Sequence, residues 1–262
     1  MTAVGTDRVA AEAAAWSALG TVRDPELDEP LTDLGFVQQC EVDATGRAVV
    51  RLRLPTYFCA PNFAFLMVAD AYDAIAAISA VREVDVRLVD HFAADAINAG
   101  VAARAGFVAS FAGEAVDGLD ELRANFLRKA VYAGTDRVVR ALGSAGDPAW
   151  LAGLTLGDAP AGVDRERLRA RRRELGLPAG DGDPLLIDPE TGGPPADVRR
   201  HLGMARVTRT SQEANSGVCR GMLRARYGVA EGPHAAWGDA GAPAEEDRSG
   251  AGAPQDTEEE RS

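Results

Sequence analysis

Ala48-Val-Val-Arg-Leu-Arg-Leu-Pro-Thr-Tyr-Phe-Cys-Ala-Pro-Asn62 is a strand that stops and a helix that begins. Val50, Leu52 and Leu54 alternate with Arg51 and Arg53, the period of a strand with one wet face. From Pro61 onward Phe65, Val68, Ala69, Tyr72, Ile75 and Ala76 recur at helical spacing, with Asp70 and Asp73 outside. Proline suits the first helical position, where its fixed φ fits and its missing N–H is no loss. Cys59 therefore falls just before the first turn, where free N–H groups and the helix dipole favour a thiolate over a thiol. A thiolate is a metal ligand or a nucleophile.

Outward from this stretch, Asp7 to Leu19 is an Ala-rich helix and Asp24-Pro-Glu-Leu27 is a turn. Residues 31–42 form a strand-like run, Asp43-Ala-Thr-Gly46 a hairpin turn, and Val81 to Val89 a third alternating strand. The order is α-β-β-α-β. Downstream, residues 92–113 have no clear period and residues 118–142 read as a helix. Asp147 opens a short helical turn, and Asp164 caps an Arg-rich helix ending near Gly176. Leu185-Leu-Ile187 is strand-like and 188–193 is a turn. Thr210-Ser-Gln-Glu213 has capping-box spacing and predicts a last helix over 211–227. The expected fold class is α+β: a small α-β-β-α-β domain with a three-stranded mixed sheet over 1–92, then a mainly helical accessory region over 93–230. Residues 231–262, rich in Gly, Pro and acids, read as a disordered acidic tail.

A turn centred on 43–46 pairs residues summing to about 89, which sets Cys40 opposite Val49. Cys59 then lies at the far end, about ten extended residues or about 30 Å away. Those two thiols are not expected to share a metal within one subunit. The same end of the sheet gathers Asp24, Glu26, Thr56, Cys59 and His91.

The chain has 262 residues, a net charge of −12 and three widely spaced cysteines, Cys40, Cys59 and Cys219. The negative balance argues against nucleic acid or an anionic membrane as partner. No apolar run approaches the length of a membrane span. An odd, scattered set of cysteines is no disulfide framework. With no basic stretch and apolar run at the start, a cytoplasmic location is expected.

Asp24-Pro-Glu-Leu27, Asp33-Leu-Gly-Phe-Val37, the hairpin, Thr56-x-x-Cys59 opening a helix, and Val81-Arg-Glu-Val-Asp-Val-Arg-Leu88 together resemble the iron–sulfur cluster assembly (FSCA) domain. Its relatives include maturation factors and the phenylacetate-degradation D protein. The resemblance covers about residues 10–92 and implies a role in assembling or delivering metal–sulfur clusters. It also implies that Cys59 holds an iron–sulfur cluster transiently, with Asp24, Glu26, Asp33 and Thr56 in the family's polar motif positions. Where the family has Cys-Pro, this chain has Cys59-Ala-Pro61, and bulky Tyr57 and Phe58 precede the cysteine.

One cysteine does not complete an iron–sulfur site, which generally takes four ligands. Further ligands would be His91, a carboxylate, a second subunit of a homodimer, or a client's thiolate. The structural readings come first for Asp24-Pro-Glu26 as a turn and cap, Asp33 as a turn acceptor, His91 as a surface residue and Cys219 as core; for Thr56 a cap is the equal alternative. The arginines at 165–173 read as a solvated helix face. The expected protein is a non-enzymatic accessory factor. It serves a client metalloenzyme, such as a multicomponent diiron monooxygenase, together with other cluster-assembly proteins. A metal-free chaperone is the alternative, and a thiol enzyme pairing Cys59 with His91 ranks last.

Overall fold

The computed structural model describes residues 3–111, 118–143 and 147–228; the acidic tail lies outside them. The elements are α1 (Ala3–Leu19), β1 (Arg23–Asp24), β2 (Glu29–Pro30), α2 (Leu31–Leu34), β3 (Val37–Val42), β4 (Arg47–Leu52), α3 (Pro61–Ala76) and β5 (Glu83–Leu88). There follow α4 (Ala94–Ala102), α5 (Gly106–Ser110), α6 (Asp120–Ala141), α7 (Pro148–Ala152), α8 (Val163–Glu174) and α9 (Val198–Tyr227). β3 pairs antiparallel and β5 parallel with the central β4. The fold is thus α+β, with a three-stranded mixed sheet and a mainly helical C-terminal region.

The hairpin register differs by one residue from the sequence expectation: Cys40 faces Val50, not Val49. The reason lies in the turn. Asp43 N–H donates to Arg47 O and Gly46 adopts φ 85°, so the connection closes one residue later, around a left-handed glycine. A side chain at Gly46 would also press on Ala80 O, with its Cβ 2.9 Å away. Asp43 accepts N–H bonds from Thr45 and Arg47 and the Thr45 hydroxyl, which holds the loop. A second irregularity between Val37 and Gln39 bends β3, so that Val37 and Cys40 both point into the core. The strand-like run over 31–42 also divides: Leu31–Leu34 is a short helix that ends at left-handed Gly35.

The first core joins α1, the inner sheet face and α3, with Leu19, Phe36, Val50, Leu52, Val68 and Ile75 fully buried or nearly so. It continues through Ile97 and Val101 of α4 and ends on Leu223 of α9. A second core of Val131, Val138, Leu151, Leu156, Leu168, Leu185 and Leu186 sits among α6, α7 and α8. Gly134 lets α8 come close, since a Cβ there would lie 3.2 Å from Leu168. Arg172 is wholly buried and donates to the carbonyls of Pro184 and Leu185. Burial lowers its pKa to about 10. Leu185–Ile187 is a packed loop rather than a strand, tied by one bridge between Thr155 and Pro184.

Three further expectations change. The N-cap of α8 is Gly162, with Asp164 in the first turn. The α8 arginines are no solvated face. Arg169, Arg171 and Arg172 are buried, and Arg167 and Arg171 hold the Asp28 carboxylate at 2.8 and 2.6 Å. Helix α9 begins at Asp197, whose side chain caps Arg200 N–H, thirteen residues before the apparent capping box. Glu213 instead pairs with Arg209 inside the helix. At about 1.5 Å per residue, α9 is about 45 Å long and touches both cores.

Asp28 is buried with an exposure of 4%. Removing one partner of a buried pair leaves the other charge uncompensated, at a typical cost of about 3–5 kcal/mol. Asp28→Asn is therefore expected to destabilise the protein by about 3 kcal/mol in urea denaturation. A loss under about 1 kcal/mol would mean that Asp28 anchors nothing.

Candidate functional site

The Cys59 loop spans residues 53–60, between the end of β4 and the N-cap of α3, Ala60. Its base is tied to the sheet: Arg53 N–H donates to Phe36 O, and Val89 N–H donates to Leu52 O. Thr56 Oγ1 lies 3.3 Å from Cys59 Sγ and accepts the Phe58 N–H. A hydroxyl that accepts one bond still has its own proton to give, which suits a sulfur acceptor. Cys59 is half-buried, one side against the first core and the other open.

The third strand returns to this loop as expected, and His91 closes on it. The His91 ring accepts the Ala93 N–H at Nδ1, so Nε2 carries the proton and donates to Cys59 O at 2.7 Å. The ring therefore contacts the cysteine's carbonyl, not its sulfur. That is a positioning geometry, with neither nitrogen turned toward the thiol as base or ligand. Burial lowers the His91 pKa, against the Cys59 bond, which raises it. Phe92 N–H donates to Tyr57 O. Beyond it, the exposed rings of Tyr57, Phe58 and Phe92 gather with centroids 5.2 to 6.5 Å apart.

Asp24 accepts the N–H groups of Glu26 and Leu27, both at 2.9 Å, and is buried. Its first duty is the turn. Burial nevertheless raises its pKa to about 6. Glu26 is exposed; its carboxylate meets Asn215 and its carbonyl meets Gln212. Asp33 stands exposed on α2 with its carboxylate on the Thr32 hydroxyl. Thr56, Cys59 and His91 are thus joined directly, Asp24 and Glu26 approach along the neighbouring turn, and Asp33 belongs to a separate helix.

Sequence reasoning read Cys219 as core and did not place it beside Cys59. Cys219 of α9 is half-buried against the same core as Cys59. Its pKa rises to about 11, first through burial and then through the negative charges of Asp24, Cys59 and Glu26. Nothing in the sequence joined two cysteines 160 positions apart; the signal was the one-sided spacing of α9, whose inward residues are largely polar. Cys40 is buried in β3 with its pKa raised to about 12, chiefly by burial, and takes no part. Among the described residues, no three His, Cys, Asp or Glu side chains come together as a ready metal cage. No helix among them is long and apolar enough to cross a membrane.

Residues 12–86 match the family model described as iron–sulfur cluster assembly protein. Over that stretch, the N-terminal third of the chain is similar to iron–sulfur cluster assembly domains. No curated protein and no solved structure matches the chain. The matched segment takes in Asp24, Glu26, Asp33, Thr56 and Cys59 but stops short of His91 and the accessory helices.

The Asp24 carboxyl has a definite stability signature. Its pKa is 3.8 in an unstructured chain and about 6 here. The folded state binds the extra proton between those values, so stability falls as pH rises through that window. Above it, ionised Asp24 costs about 3 kcal/mol, at about 1.4 kcal/mol per pKa unit. Asp24→Asn keeps an oxygen for both N–H groups and has no charge to bury. We expect it to gain about 2–3 kcal/mol at neutral pH. Urea denaturation at a series of pH values measures this, the difference from wild type removing the opposite slope from His91. An equal stability of the two proteins at neutral pH would show a well-solvated carboxylate.

Proposed function

We propose that the protein takes an iron–sulfur cluster, or its iron, onto Cys59 as cargo and hands it to a client metalloenzyme. The observation that carries this reading is a half-open thiol beside a hydroxyl, at the mouth of α3, inside a cluster-assembly domain. Soft thiolate is the ligand class that such cargo requires. A site short of its full ligand set suits a carrier, because an incompletely bound cluster leaves readily. The missing positions would be filled by a second subunit or by the client and other cluster-assembly proteins. The protein acts as an accessory factor, not as an enzyme, and the accessory helices contribute the surface that selects the client. A multicomponent diiron monooxygenase is the client class this reading favours.

A second reading rests on the exposed rings of Tyr57, Phe58 and Phe92 beside the thiol. A cluster of open aromatics at a loop tip is the composition of a protein-contact patch. In this alternative the chain is a metal-free chaperone for the same kind of client.

Anaerobic reconstitution with ferrous iron and sulfide, followed by mixing with an apo-ferredoxin, tests the first reading. Wild-type protein is expected to gain charge-transfer absorption and pass it to the ferredoxin. Cys59→Ser should keep its far-UV circular dichroism and lose transfer roughly tenfold or more, since even outer partners of a metal ligand cost that much. Undiminished transfer by the variant would sink the carrier reading. Absence of any absorption in wild type would favour the chaperone.

A further inference from the structure

We propose that Cys219 is the second thiolate of the Cys59 site, so that the domain and helix α9 together form a two-thiol clamp for a thiophilic metal. This rests on the carrier reading above and adds a ligand that lies outside the cluster-assembly domain. Placement along α9 carries it. Residues four apart on a helix share a face. Asn215 and Gln212 reach Glu26, Arg220 reaches Glu29 at 2.5 Å, and Leu223 packs on Gly35. Arg226 then donates to Leu54 O and Asp90 O, and Tyr227 to the Asp90 carboxylate. Leu54 lies in the Cys59 loop itself, and Asp90 precedes the histidine that holds the Cys59 carbonyl. Cys219 stands midway between Asn215 and Leu223 on that face, over the ground between Glu26 and the Cys59 loop. Both sulfurs pack on the first core, and both residues remain half open.

The chemistry fits a cation. Cys59, Cys219, Asp24 and Glu26 bring several negative or ionisable groups to one edge, and the guanidinium beside Cys219, that of Arg220, is engaged by Glu29 and Ser216. Two thiolates bind a soft divalent ion or one iron of a cluster, and leave its other coordination positions to sulfide or a client ligand. That is tighter than one thiolate and looser than a closed four-ligand site. The clamp would also make cargo binding depend on α9, which no isolated assembly domain possesses.

The reduced full-length protein, titrated anaerobically with Co²⁺ alone, tests this. Thiolate-to-cobalt charge-transfer absorption counts sulfur bonds. Wild type should show about twice the intensity per bound ion of either Cys59→Ser or Cys219→Ser, and each variant should bind roughly tenfold or more weakly. Cobalt should also protect Cys59 and Cys219 of wild type from iodoacetamide, read as alkylated peptides by mass spectrometry, a measurement that needs no variant to fold. If Cys219→Ser keeps the wild-type intensity while Cys59→Ser loses it, the clamp is wrong and the Cys59 carrier stands. Equal alkylation of Cys219 with and without cobalt, or no thiolate band in wild type, overturns the clamp as well.

Discussion

The structure depends on two aspartates held in a conformation they do not favour. Asp28 and Asp90 adopt φ of 52° and 54°, the left-handed region that side chains other than glycine seldom enter. Each is pinned by arginines from the C-terminal region. Arg167 and Arg171 of α8 take the Asp28 carboxylate, with Arg137 of α6 at 3.8 Å. Arg226 of α9 takes the Asp90 carboxylate at 2.6 Å, and Tyr227 adds a bond at 2.8 Å. The strain is of order 1 kcal/mol per residue. A charge-assisted hydrogen bond returns about 1.5–3 kcal/mol. The accessory helices thus determine the shape of both turns that flank the cluster-assembly motif. A free domain would have to hold Asp28, buried and four residues beyond Asp24, by Arg23 alone, which bonds its carbonyl rather than its carboxylate.

From these anchors the geometry of the site follows. Asp90 sets where β5 ends, and the next residue, His91, holds the Cys59 carbonyl. Asp28 closes the turn that begins at Asp24, since Asp28 N–H donates to Asp24 O at 2.9 Å. The thiol loop and the acidic turn are therefore each fixed at one end by the sheet and at the other by the accessory region. Tyr227 lies in the same construction, with the guanidinium groups of Arg53 and Arg226 at 4.8 and 5.0 Å from its ring. Arg53 belongs to the thiol loop, so that contact ties the loop directly to the last turn of α9.

How much of this was legible follows from where the apolar residues are. In the domain they mark the sheet and α3 at the correct periods, and Pro61 marks the helix start, so the α-β-β-α-β order and the position of Cys59 could be read. Thr56 could be placed in the loop, but its spacing left a bond to the sulfur and a capping role equally open. The hairpin register was not, because the left-handed Gly46 inside the turn shifts it without changing the pattern on either side. His91 could be placed near the loop but not assigned to the carbonyl, since topology does not aim a ring. In the accessory region the buried faces are polar. Helix α8 buries arginines, and α9 buries His201, Gln212 and Ser216 beside Ala205 and Leu223. Arg171 is matched by Asp28 in a distant segment, Arg169 by Asp181 and Arg172 by the carbonyls of Pro184 and Leu185, so hydrophobic periodicity is silent there. The same silence hid the first thirteen residues of α9 and, with them, the reason that Cys219 lies where it does.

The two halves of α9 are held very differently. Its N-terminal half is locked to α6 by Arg209 on Asp136 at 2.5 Å, a pair largely removed from water, with His201 packed against Tyr132. Its C-terminal half meets the motif closer to the surface: Gln212 and Asn215 on Glu26 at 3.2 and 3.3 Å, Arg220 on Glu29 at 2.5 Å, and Arg226 and Tyr227 on the Asp90 carboxylate at 2.6 and 2.8 Å. Neutral hydrogen bonds of that kind net about 0.5–1.5 kcal/mol each, and exposed ion pairs about 0–1. Leu223 is the deeply buried apolar side chain in that half, worth about 1.5–3 kcal/mol. The sum is enough to seat the helix over the thiol loop, so α9 is held at both ends, by a buried ion pair on α6 and by several smaller contacts on the motif.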